Sequence, residues 1–235
     1  MGKKLPVVLL CALALFAAFP GCTPEPPPPP PEPAAPPPPP EPSPEQHYAT
    51  IKGNLSTLFA EGGMGRDAAD AVVASFNGIK MQMSATENGR AALGMIQRDI
   101  EDGIRSFRQD NRWVKVKACC QLYKVLQPES DRYAKAERDA ELMIARPAVL
   151  VTGFMKSGSE IYTFLEVTNP ETREVETFKI REGEEFYRPA KIGSQENEQD
   201  LLRLVRIIGD QQSVELEYKP VNFLWECPGP RKRQS

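Results

Sequence analysis

The chain has 235 residues, 40% of them hydrophobic and 26% charged, with a formal net charge of −3. That composition fits a globular protein and carries no cationic excess of the kind that grips nucleic acid. A single histidine leaves almost no material for a triad with a histidine base, a His-rich metal site or a histidine pH switch.

Lys3 and Lys4 form a short positive region, and Leu5 to Phe19 then runs apolar. This run is shorter than the roughly 20 residues that a membrane-crossing helix needs and suits a signal peptide. Pro6 stands where N-myristoylation needs Ser or Thr. At the end of the run, Phe19-Pro20-Gly21-Cys22 resembles a bacterial lipobox, in which the cysteine receives diacylglycerol and palmitate and becomes the first mature residue. Gly21 fits that motif, whereas Phe19 and Pro20 depart from its usual Leu and Ala or Ser. The resemblance implies cleavage after residue 21 and lipidation of Cys22. Two or three acyl chains anchor stably, at about 0.8 kcal/mol per buried CH2. The expected location is the bacterial cell envelope, on the periplasmic side of the outer membrane.

Residues 23–44 read as a linker. Fifteen of the 24 prolines fall between Pro24 and Pro44. Proline fixes φ and lacks a donor, so such a segment takes an extended left-handed form with a reach of up to roughly 68 Å. About 190 residues remain for the fold.

Residues 45–146 read as an antiparallel helix array. Ser43-Pro44-Glu45 is a helix start, and Tyr48, Ile51, Leu55, Leu58 and Phe59 recur at helical spacing up to Gly62-Gly63. A second helix spans about Asp67 to Ile79. Ser84-Ala85-Thr86-Glu87 has the form of a capping box and opens a long helix with the stripe Leu93, Ile96, Ile100, Ile104 and Phe107. Trp113, Val116, Cys120, Tyr123 and Leu126 mark the next, and a last one begins near Glu129 and stops at Arg146-Pro147. The final pair, with Lys117-Ala118, Leu122-Tyr123, Leu126 and Pro128, resembles one tetratricopeptide hairpin, with no second copy. Charges nearly cancel here, 15 Lys and Arg against 14 Asp and Glu.

Residues 147–227 change to strand grammar and predict six short antiparallel strands, forming a small barrel or two facing sheets. The strands are Ala148–Met155, Glu160–Thr168, Glu174–Arg181, Leu202–Ile208, a run through Val214, Leu216 and Tyr218, and Val221–Cys227. A polar stretch, Pro189 to Asp200, separates the third from the fourth, and residues 228–235 form a basic tail. The fold class is therefore α+β, a helix array followed by a small antiparallel β barrel or sandwich.

Four segments of the β half carry a second resemblance: Tyr162-Thr163-Phe164-Leu165, Phe178-Lys179-Ile180-Arg181-Glu182-Gly183-Glu184, Leu204-Val205-Arg206-Ile207-Ile208 and Val214-Glu215-Leu216-Glu217. Together they resemble the periplasmic β domains of type IV pilus pilot lipoproteins and of type II secretion clamp proteins. The resemblance covers about 75 residues and implies docking onto secretins, the outer-membrane export channels. The helical half has no counterpart in it, and the loop from Pro189 to Asp200 is longer than the family's. On residues alone, Gly183 reads as the positive-φ position of a tight turn.

No phosphate loop, paired Cys-x-x-Cys or catalytic constellation is visible. Glu182, Glu184 and Glu185 beside Arg181 and Arg188 read as a solvated turn, and His47 as an exposed residue. No cofactor, metal or nucleic acid is expected. Cys11 leaves with the signal and Cys22 carries lipid, so Cys119, Cys120 and Cys227 remain. They read as buried free thiols, with a bridge from Cys119 or Cys120 to Cys227 as the alternative. The functional expectation is a non-enzymatic envelope lipoprotein that docks another envelope protein, as part of a pilus or secretion assembly. Ile207 and Val214 are expected in its core, and Tyr162, Glu184 and Glu215 facing the partner. An envelope enzyme acting on cell-wall glycan, or a carrier of a small apolar ligand, are the alternatives.

Overall fold

A computed structural model describes residues 40–192 and 195–230. Cys22, its lipobox and nearly all of the Pro-rich linker lie outside the described residues, as does the tail beyond residue 230. The described residues from Glu41 onward form one compact unit, helical first and β second.

Among the described residues, six helices come first: α1 Pro44–Asn54, α2 Ser56–Phe59, α3 Arg66–Ser84, α4 Glu87–Gln109, α5 Trp113–Leu126 and α6 Ala134–Ile144. The start of α1 is a reciprocal cap. Ser43 accepts from the Gln46 N–H, and the Gln46 side chain accepts from the Ser43 N–H at 2.9 Å. The long helix begins later than its sequence suggested. Ser84 closes α3, and Thr86 caps α4 by accepting from the Gly89 N–H at 3.1 Å. A glycine is required at 89, because a Cβ there would stand 2.1 Å from the Met83 carbonyl oxygen. The last helix also starts later, at Ala134, since turns occupy residues 128–129 and 132–133. Helix α4 is central; α1, α3 and α5 all pack on it. Its predicted stripe from Leu93 to Phe107 is buried in one cluster with Ile51, Leu58, Phe76, Val116 and Leu122. Fully burying each such side chain contributes about 1.5–3 kcal/mol.

Among the described residues, the β half holds nine antiparallel strands: β1 Ala148–Ser157, β2 Glu160–Thr168, β3 Val175–Ile180, β4 Glu185–Phe186, β5 Lys191–Ile192, β6 Gln195–Glu196, β7 Leu202–Ile208, β8 Ser213–Tyr218 and β9 Phe223–Pro228. All six expected strands are present. The three two-residue strands were not expected, and two of them, β5 and β6, form a small hairpin within the polar stretch. One sheet runs β1-β2-β3 and the other β4-β7-β8-β9. Val151, Leu165, Val167 and Ile180 of the first sheet share one hydrophobic cluster with Leu202, Leu204, Val214, Leu216 and Tyr218 of the second. Val214 is fully buried as expected, and Ile207 packs on the same cluster half-buried.

The barrel alternative does not occur, because the sheets stay separate at β3. The chain leaves that strand through Arg181-Glu182-Gly183-Glu184, with Gly183 at φ +84°. The Gly183 N–H donates to the Leu204 carbonyl at 2.7 Å, and the Leu204 N–H donates to the Glu184 carbonyl at 3.0 Å. Glu182 accepts from the Ile207 N–H. Residues 182–184 thus bond to β7 of the other sheet and cannot close β3 onto a further strand.

The halves meet along α6. Met143 belongs to the β cluster, Trp113 packs on both clusters, and the Tyr218 hydroxyl donates to the Leu142 carbonyl at 3.2 Å. The Arg146 guanidinium stacks on Trp225 and Phe223, 4.7 and 5.1 Å from the ring centroids. Truncating Met143 should therefore damage the β core from the helical side. Met143→Ala is expected to lower unfolding free energy by about 2–5 kcal/mol in denaturant titration; a loss no larger than that of an exposed position would show that the seam is not packed as described.

Candidate functional site

The first sheet has two edge strands, β1 and β3, and they differ. Near its start, β1 lies against β9, where the Cys227 thiol donates to the Val149 carbonyl at 3.3 Å. Strand β3 pairs only with β2, in the register Thr163↔Ile180 to Thr168↔Val175. Among the described residues, no backbone hydrogen bond reaches the other edge of Val175–Ile180. Glu176, Thr177 and Lys179 are exposed, and Val175 keeps 58% of its surface in water. A run of alternate N–H and C=O groups therefore stands free for a further strand.

The outer face of the same sheet continues from that edge. Cross-strand register puts Leu150 opposite Glu166, Met155 opposite Tyr162, and Thr168 opposite Val175. Leu150 is 58% exposed, and Phe164 is half-buried on this face. Leu150 lies across the sheet on β1, so at the open edge itself the exposed aliphatic side chain is Val175.

One end of the edge carries a charged network. Arg181 reaches Glu160 at 2.8 Å and Glu184 at 2.8 Å, and Tyr162 donates its hydroxyl to Glu160 at 2.7 Å. The Lys179 ammonium stands 4.2 Å from the centre of the Tyr162 ring. Tyr162 and Glu184, both expected to face a partner, are thus joined through Glu160 and Arg181. Glu215 is elsewhere. It lies on β8 in the second sheet, 3.0 Å from Arg206. Sequence reasoning missed Glu160 and the pairing role of Arg181. The alternation along Glu160-Ile161-Tyr162, opposite a third strand ending in Arg181, was the available signal.

Glu160 is held below the usual carboxylate range, first by the Tyr162 hydroxyl and then by Arg181. Glu184 is lowered first by the Arg181 backbone N–H and then by its guanidinium. Both stay charged into mild acid. Their contacts are complete above the ordinary carboxylate range and are lost as pH falls through the lowered values.

The rest of the candidate chemistry is placed differently. His47 is half-buried, with Nε2 shielded and unpaired, not exposed as its place beside the linker suggested. Glu185 pairs with Lys219, and Arg188 with Asp200 at 3.1 Å. Cys119, Cys120 and Cys227 are free and buried, the first two in the helical cluster and the last in the β cluster. The bridge alternative is therefore not realised. Burial pushes all three thiols up, Cys120 to about 12, which leaves little thiolate for reaction. Among the described residues no group of His, Cys, Asp and Glu is arranged to hold a metal ion, and no helix is long and apolar enough to cross a membrane.

Comparison of the chain with protein-family models, curated proteins and solved structures finds no match.

The network makes a separable prediction. Tyr162→Phe removes the first support of Glu160 and none of Glu184, so the Glu160 carboxyl midpoint, followed by NMR, should rise toward the ordinary carboxylate range while that of Glu184 stays low. Equal movement of both, or of neither, would contradict the assigned contacts.

Proposed function

We propose that this chain is a lipid-anchored, non-enzymatic docking component of a bacterial envelope, and that its β half receives an extended segment of another envelope protein along β3. The single observation that carries the reading is the unpaired outer edge of β3. Strand addition at such an edge supplies affinity through main-chain hydrogen bonds and specificity through alternate side chains. Val175 offers apolar surface at the edge itself, and the Arg181 network gives it a charged end. The lipobox at Cys22 and the stiff linker behind it support an anchored body that works at a distance from its membrane. A pilus or secretion assembly, the setting implied by the resemblance of the β half, is the proposed context, with the outer membrane as the anchor site.

The test uses a photo-crosslinking residue at Thr177 in intact cells. A discrete adduct with another envelope protein is expected. Glu184→Lys, which sets like charges together at the end of β3, should cut its yield about tenfold, the equivalent of ~1.4 kcal/mol. Glu215→Lys, on the other sheet, should leave it unchanged. Equal losses in both variants, or no adduct from Thr177, would overturn docking at β3.

A further inference from the structure

A cleft of about 380 Å3 opens where the loop between α2 and α3 meets the first turn of α5 and the end of α6. Its size falls at the lower end of the ~300–1,000 Å3 of ordinary ligand sites. Met64, Trp113 and Ile144 give it an apolar wall. Arg66, Arg112 and Lys115 also line it, and no carboxylate does.

The charges of these three residues are poorly compensated. Lys115 is 1% exposed. Its ammonium donates to the Ala60 carbonyl and lies 5.1 Å from the centre of the Phe107 ring. Burial first, and the Arg112 guanidinium second, push its pKa down. Among the described residues, no carboxylate pairs with Lys115 or with Arg66, whose guanidinium donates to the Ile144 carbonyl at 3.0 Å. Arg112 alone has an acidic neighbour, Asp110, at 3.6 Å. A cation taken out of water is costly unless a counter-charge faces it. Here one cation is buried, a second adds to its field, and a third borders the same cavity.

The neighbouring cleft along α3, α5 and α6 is different. It mixes Arg66, Lys117 and Arg138 with Asp70, Glu141 and Glu171, so its lining favours neither sign of charge. The excess of one sign belongs to the cleft at Lys115.

We infer that this cleft binds a small anionic amphiphile, with its anionic head against Arg66 and Arg112, in the field of the buried Lys115 ammonium, and its short apolar chain along Trp113, Met64 and Ile144. The site is independent of the β3 edge and of any partner docked there. An anion supplies the missing counter-charge, and the chain covers half-buried apolar side chains that line the cavity.

The chain has two tryptophans, so Trp225→Phe leaves Trp113 as a reporter in the cleft. The full chain carrying that change, in nanodiscs of zwitterionic lipid, is titrated with hexanoate, with acetate and with hexanol. Hexanoate should change Trp113 emission with an affinity about tenfold above either control, ~1.4 kcal/mol. Arg66→Ala, at an exposed position, should remove most of that advantage, and Arg66→Lys should restore part of it. The comparison among the three probes holds in the parent chain even if a variant folds poorly. Equal affinity for hexanol would mean an apolar cavity only, equal affinity for acetate an adventitious ion only, and no response an empty cleft; each would overturn the inference.

Discussion

At Gly183 the chain turns out of one sheet and into another, and the β half depends on that turn. A φ of +84° is one that glycine reaches freely and that costs other residues about 1–2 kcal/mol. Nothing crowds the position, so backbone conformation is the whole reason for glycine there. Once turned, residues 182–184 bond to β7, and β4 joins the second sheet. The third strand is left with one partner. Two sheets around one core and an open edge are consequences of the same four-residue crossing.

The helical half makes this arrangement rigid from below. Met143 enters the β core, Tyr218 bonds the Leu142 carbonyl, and Arg146 lies on the rings of β9. The seam gathers the end of α6 against β8 and β9, on the side away from β3 in sheet order. Buried aromatic and cation–ring contacts of this kind hold an orientation better than a flexible hinge would. A partner bound along β3 would therefore pull on the whole body and not on a loose module.

Most of the architecture was legible in the sequence because apolar period alone sets it. The stripe from Leu93 to Phe107 and the alternation Val214, Leu216, Tyr218 each left one choice of buried face. Helix starts were less legible. Ser84 and Thr86 both offer a hydroxyl, and the close approach of Gly89 to Met83, a tertiary contact, decided for Thr86. Strands β4, β5 and β6 are too short to leave any periodicity. Of the candidate partner residues, Tyr162 and Glu184 fall in one network while Glu215 falls on the other sheet. Sequence order could not separate them, because which sheet a strand joins is decided at Gly183. The cationic cleft was invisible for a similar reason: Arg66, Arg112 and Lys115 come from two separate stretches of chain, and only packing brings them to one cavity.

Docking on the β half requires a free edge on β3, and amide hydrogen exchange of the unbound protein tests for it without knowledge of any partner. In an antiparallel edge strand, alternate N–H groups point toward the neighbour and toward solvent. Along Val175–Ile180 fast and slow amides should alternate, while β2, paired on both sides, should be protected throughout. Uniform protection along β3 would mean that its edge is already covered, and the docking surface described above would not exist.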